Sequence, residues 1–190
     1  MAQPNVLEED AKAMYDAVIT NHLGPGPIVE EFENQMAKYL GVKNSIAVNS
    51  GTSSMLLSLD ALDIKGGHEV ITTPFTFAAT SNVIIQRQAR PVFVDIESET
   101  FNLDPKKIES AITDKTKAIM PIDYGGQSAE TIEINEIAEK YGLSVIEDAA
   151  PALGGIHKTK KVGSISTMTG FSFGPDKNLN TGEGGMIVTN

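Results

Sequence analysis

Three short stretches hold side chains whose types and spacing can do chemistry: "NSGTSS" at 49–54, "IEDAA" at 146–150 and "GFSFGPDK" at 170–177. In the first, Gly51 and Thr52 open an apolar helical pattern directly after an apolar run. Free backbone N–H groups and the positive end of a helix dipole at such a point suit a phosphate, and a plain Ser/Thr helix cap suits the same residues. In the second, Glu147 and Asp148 end a strand pattern, one on each face. A carboxylate there can hold a cation such as a protonated ring nitrogen, or be a solvated acid. In the third, Ser172 precedes Lys177 by five residues in a glycine-rich turn. A lysine desolvated beside a cleft and near a cation loses its proton readily and can form a Schiff base, whereas a loop lysine in water is only a point charge.

The elements that must position these residues follow from periodicity. Seven short apolar runs read as strands, at 45–50, 69–73, 91–96, 117–123, 144–149, 169–173 and 185–189. Helical patterns occupy 52–62, 77–88, 104–112 and 130–142, with Asp104 as cap, Pro105 at the first helical position and Gly142 as the stop. A further helix at 29–40 puts Val29, Phe32, Met36 and Leu40 on one face. Alternating strand and helix predicts an α/β fold with a mostly parallel seven-stranded sheet sandwiched by helices. Ligands of such sheets bind where the strands deliver their C-terminal ends, which is where all three stretches fall.

Composition narrows the partners. With 15 Lys+Arg against 25 Asp+Glu the chain carries a formal charge of −10 and no basic cluster, so nucleic acid and anionic membranes are not expected as partners. Any anion must be held locally. No cysteine means no disulfide, thiolate metal site or cysteine nucleophile, which fits a cytoplasmic protein. The polar start "MAQPNVLEEDAK" lacks the basic and apolar regions of a signal peptide, and no run is long enough to span a bilayer. His22, His68 and His157 have no metal-ligand spacing and are assigned no role. "GPGP" at 24–27 reads as a rigid turn.

Five segments taken together, "VEEFENQMAKYLGVKNSIAVNSGTSS", "VITTPFTFAATSNVI", "FNLDPKKIESAITDKTKAIMPIDYGGQ", "VIEDAAPALGG" and "FSFGPDKNLNTGEGGMIVTN", resemble the pyridoxal-phosphate-dependent sugar aminotransferases of the DegT/DnrJ/EryC1/StrS family. The resemblance implies the large domain of a fold-type I transferase over residues 1–190, with the small C-terminal domain of the family absent. It implies Lys177 as the Schiff-base lysine and proton carrier, and Asp148 as the partner of the pyridine nitrogen. Gly51, Thr52 and Ser172 would hold the phosphate, and Phe77 would stack on the ring or pack in the core. The implied substrates are a nucleotide-linked keto-sugar and an amino-acid donor such as glutamate. The implied assembly is a homodimer, or a pairing with a complementary C-terminal half, with exposed apolar surface where helices are missing. By the same analogy the 24–27 turn edges the substrate site. Pro151 and Gly174 depart from the polar residue and histidine frequent in the family, while Lys177 argues against its dehydratase branch, where histidine replaces the lysine. Two rival readings are a catalytically silent cofactor-binding fragment with a regulatory or assembly role, and a phosphate-binding α/β domain in which Lys177 makes no covalent bond.

Overall fold

The computed structural model describes residues 6–190; the first five residues of the polar N-terminal stretch lie outside the described residues. Among the described residues nine strands and six α-helices follow one another along the chain. In order they are α1 (Glu8–Ile19), α2 (Pro27–Leu40), β1 (Asn44–Val48), α3 (Gly51–Ala61), β2 (Glu69–Thr72), α4 (Ala78–Gln86), β3 (Arg90–Phe93), α5 (Pro105–Ile108), β4 (Thr116–Ile119), α6 (Thr131–Tyr141), β5 (Ser144–Asp148), β6 (Ile156–His157), β7 (Lys160–Lys161), β8 (Met168–Ser172) and β9 (Gly185–Thr189). Seven strands form one sheet in the order β1-β9-β8-β5-β4-β2-β3, and β6 pairs with β7 in a separate hairpin. Strand β9 runs antiparallel to both neighbours, while every other pairing in the sheet is parallel. The C-terminal ends of β1, β2, β4, β5 and β8 therefore share one edge.

The seven expected strands are all present, and two, β3 and β4, are shorter than their apolar runs by two or more residues. Beyond Ile119 the chain meets Pro121, which has no N–H for a ladder, and only a bridge between Ile122 and Asp148 continues the pairing. Beyond Phe93 a lone bridge joins Ile96 to Leu103. Helix α5 is a single turn passing into a 3-10 turn at Glu109–Ala111, although Asp104 accepts from the Lys106 N–H and Pro105 opens the helix as expected. Gly41 and Gly142 close α2 and α6 in the left-handed conformation, at φ 75° and 65°.

Helices cover both faces of the sheet. Helices α3 and α4 bury Met55, Leu59, Val83 and Ile84 on Val70, Ala118, Met120 and Ile146. On the other face α5 and α6 pack Ile108, Ile134 and Ala138 on Ile71, Ile119 and Val145, and α2 packs Met36 and Leu40 with Phe171, Met186 and Val188. Helix α1 was not anticipated: none of its residues is buried, and Met14, Tyr15, Val18 and Ile19 are exposed. Ile46, Ile85 and Phe93 are exposed as well, in line with the expected apolar surface. Among the described residues no helix is long and apolar enough to cross a membrane.

Helix α3 sits unusually close to β8. A Cβ on Gly170 would overlap Ser54 Oγ and lie 3.4 Å from Ser54 Cβ, and Ser54 Oγ itself donates to Gly51 O at 2.7 Å. Gly170→Ala is expected to cost about 1–3 kcal/mol of stability through overpacking, read from urea unfolding. Adding Ser54→Ala removes the overlapping oxygen and should restore part of that loss; an additive double mutant would refute the contact.

Candidate active site

Helix α3 begins where β1 has just ended, and Ser50 is its cap: the Ser50 hydroxyl accepts from the Ser53 N–H at 3.1 Å. The cap is thus supplied one residue before Gly51. The N–H groups of Gly51 and Thr52 belong to the first turn, which has no intrahelical acceptor for them, and Thr52 is exposed on the cleft. A Cβ on Gly51 would stand 2.7 Å from Ser172 Cβ and 3.2 Å from Ser172 Oγ. Gly51 is therefore glycine for space, and the first turn of α3 lies against the hydroxyl that ends β8. Together they form a cradle of N–H and O–H donors.

Asp148 closes β5 on the face covered by α3 and α4. It is 2 % exposed, Thr80 Oγ1 on α4 donates to its Oδ2 at 2.7 Å, and the Ala150 N–H approaches Oδ1 at 3.3 Å. Burial pushes the Asp148 carboxyl up from its ordinary value, opposed by the Thr80 and Ala150 hydrogen bonds and by the charge of Lys177. Glu147 points to the opposite face and is fully buried, so neither acid is a solvated strand end.

Lys177 follows the turn after β8. Its side chain is 24 % exposed, and its ammonium donates to Asp176 Oδ2 at 3.1 Å. Among the described residues lining the cleft Lys177 is the one cationic side chain, and its partner is an anion. That hydrogen bond holds the Asp176 carboxyl below the usual carboxylate range. The amine is partly desolvated, and this ion pair must open before the amine can act as a nucleophile.

These groups share one cleft of about 540 Å³, lined by Gly51, Thr52, Phe77, Asp148, Ser172 and Lys177 among others, a size that suits a small molecule. Phe77 is no core residue: it is 78 % exposed and turned to the cleft. Pro151 and Gly174 line it too, whereas no residue of the 24–27 turn does; Gly26 and Pro27 instead cap and open α2. A Cβ on Gly174 would meet only ordinary contacts, 3.5 Å from Asp176 Oδ1 and 3.9 Å from Glu183 Oε2, so the glycine opens space. Among the described residues no cluster of three metal-binding side chains occurs.

Sequence reasoning missed Thr80, Tyr124, Asp176 and Glu183. Thr80 lies one turn after Phe77 at the start of α4, and that spacing was its available signal. Tyr124 reaches the cleft because Asn102 Oδ1 accepts its backbone N–H at 2.7 Å, a contact across 22 residues with no local mark.

A seven-stranded, largely parallel sheet with helices on both faces, and a cleft at its C-terminal edge lined by a buried aspartate and a lysine, has the architecture of the fold-type I aminotransferases. The DegT/DnrJ/EryC1/StrS aminotransferase family model matches residues 4–190, and the chain belongs to that family. It is 46% identical over 165 residues to GDP-perosamine synthase of Caulobacter vibrioides, covering 87% of this chain and 44% of that one. It is 45% identical over 166 residues to UDP-2-acetamido-2-deoxy-3-oxo-D-glucuronate aminotransferase of Pseudomonas aeruginosa, covering 87% and 46%. The PLP-form structure of the putative sugar aminotransferase Spr1654 from Streptococcus pneumoniae superposes with a TM-score of 0.95 at 30% identity, over all of this chain and 52% of that one. The chain thus spans about half the length of these relatives.

Replacing Thr80 by Val removes a donor from Asp148 while keeping the shape of the side chain. The Asp148 carboxyl, having lost a hydrogen bond that favours its ionised form, should then titrate higher than in the parent in a carboxyl ¹³C NMR titration. An unchanged titration would mean that Thr80 does not tune this acid.

Proposed function

We propose that residues 1–190 are the cofactor-binding large domain of a pyridoxal-phosphate-dependent aminotransferase acting on a nucleotide-linked keto-sugar, with glutamate or a similar amino acid as donor. One observation carries the reading: Lys177, Asp148 and the donor cradle at the start of α3 line the same cleft. The residues fit the cofactor. A cradle that a Cβ at Gly51 would fill suits the phosphate without any basic side chain, which matters in a chain of net charge −10. A buried carboxylate whose charge is costly gains most from a protonated ring nitrogen placed opposite it.

When bound, pyridoxal phosphate supplies an aldehyde for amine exchange and a ring that withdraws electrons from the substrate carbon. The chain's own residues do the rest. Asp148, steadied by Thr80, keeps the ring nitrogen protonated. Gly51 and Thr52 N–H groups and the Ser172 hydroxyl hold the phosphate. Phe77, exposed on the cleft, would offer an aromatic surface to the ring and shield it from water. Lys177, once released from Asp176, would be the amine that holds the cofactor and the group that takes up and returns a proton at its Nζ in the cleft. The donor and the keto-sugar react in turn at this one cleft. The relatives' names, a GDP-sugar synthase and a UDP-sugar aminotransferase, support a nucleotide-linked substrate. The exposed apolar side chains of α1, β1 and β3 support assembly, as a homodimer or with a complementary C-terminal half, and we place the enzyme in the cytoplasm without nucleic-acid or membrane partners.

Incubation with pyridoxal phosphate and borohydride should leave a reduced adduct on the Lys177 peptide by mass spectrometry, and Lys177→Ala should carry none. Glutamate should discharge the bound aldehyde in a single turnover, and the alanine variant should slow this by about 10²–10⁴-fold, the usual worth of a positioned proton carrier. Adduct at another lysine would move the site; an adduct that glutamate leaves untouched would make the chain a cofactor holder only.

A further inference from the structure

Behind Asp148, on the reverse face of β5, two more carboxyls are buried together. Asp123 and Glu147 are both fully buried. One oxygen of each is accounted for: the Ala129 N–H donates to Asp123 Oδ1 at 2.8 Å and the Thr169 hydroxyl donates to Glu147 Oε2 at 2.8 Å. The remaining oxygens, Asp123 Oδ2 and Glu147 Oε1, have no donor, and among the described residues no ion pair includes either acid. Two acceptor-only anions cannot satisfy one another, and a bare buried carboxylate pair is costly. A single proton between the two orphaned oxygens removes both faults, because a protonated carboxyl is a donor and an ionised one an acceptor.

We infer that Asp123 and Glu147 share one proton in a buried acid–carboxylate hydrogen bond, and that this bond is a positioning device for the cleft on the other side of the strand. The proton sits on Asp123, and Glu147 accepts. Asp123 starts the turn that carries Tyr124 and Gly125 into the cleft, and its backbone is tied to the catalytic strand, since its N–H donates to Asp148 O at 3.1 Å and the Asp148 N–H donates to Pro121 O at 2.9 Å. Fixing the Asp123 side chain fixes that turn against Asp148. The bond also governs charge. With Asp123 neutral the strand end carries at most two negative charges, and Asp148 is free to be one of them.

The groups facing the pair agree with this. Asp123 is raised well above the ordinary aspartate value by burial first and then by the charges of Glu147 and Asp148, against the Ala129 N–H. Glu147 is raised by burial, against the Thr169 hydroxyl that donates to it and the nearby dipoles of Ser166 and the Gly163 N–H, which make no hydrogen bond to it, and against Asp123. A folded value above the unfolded one contributes stability that is complete below about pH 4 and is lost as pH rises through the folded value.

The inference rests on the proposed cofactor site only for its effect on binding. In ¹³C-aspartate-labelled protein, the carboxyl resonance that disappears in Asp123→Asn should remain at its protonated position at pH 7. The Asn variant, whose amide donates to Glu147 without a titrating proton, should have a flatter stability profile above pH 4, by up to a tenfold change in the folding equilibrium per pH unit. It should bind pyridoxal phosphate within about threefold of the parent at pH 7 and hold it to higher pH, while Asp123→Ala, lacking both hydrogen bonds, should bind it about tenfold more weakly. An Asp123 resonance titrating in the ordinary carboxylate range, or parallel stability profiles for parent and Asn variant, overturns the shared proton. Equal affinity in the Asn and Ala variants overturns the positioning role. A parent chain that takes up no pyridoxal phosphate while its Asp123 resonance behaves as expected contradicts the cofactor reading and leaves the shared proton standing.

Discussion

A carboxylate buried at the end of a parallel strand is the constraint around which this domain is arranged. Asp148 is almost entirely removed from water, and its charge can be sustained only by donors and cations brought to it by other elements. Thr80 comes from α4, the Ala150 N–H from the turn after β5, and Lys177 from the turn after β8. Each arrives because the parallel strands end on one edge. Reversing β9 alone lets the chain return after the Lys177 turn and fill the sheet between β1 and β8 without moving that edge.

Close packing then sets the other end of the cleft. Gly51, Gly170 and Gly185 are all places where a side chain would run into a neighbour: Ser172, Ser54, and the Ser50 and Gly51 backbone respectively. Their absence of bulk lets the first turn of α3 press onto β8 and β9, so its free N–H groups face the cleft. An anion is held there by geometry and dipole, and the strongly negative chain needs no basic patch to do it. The acidic surroundings, with Asp176 and Glu183 close to Gly174, leave Lys177 as the sole positive side chain in the cleft among the described residues.

The sheet and the principal site residues could be read from the residues because their signals are local. Apolar runs bounded by turns gave all seven strands of the sheet, and the strand-end rule put Gly51, Asp148, Ser172 and Lys177 at one edge. The pairing order and the reversal of β9 are long-range facts with no local mark. Helix α1 escaped because its apolar residues pack on nothing among the described residues, so the pattern served no core that could be inferred. Thr80 and Tyr124 escaped for a related reason: their roles come from contacts 68 and 22 residues away, respectively. The ion pair of Lys177 with Asp176, residues adjacent in the quoted stretch itself, was likewise not read from it. The pairing of Asp123 with Glu147 is invisible in sequence, since strand alternation says only that Glu147 turns away from Asp148.

The central claim is that Asp148 and Lys177 act on one ligand across one cleft. It is tested most directly by the nitrogen NMR shift of ¹⁵N-ring-labelled pyridoxal phosphate bound to the protein. The account expects a protonated ring nitrogen in the parent chain and a neutral one in Asp148→Ala, with Lys177 still bound to the cofactor in both. A ring nitrogen that is neutral in the parent, or protonated alike in the two proteins, would contradict it.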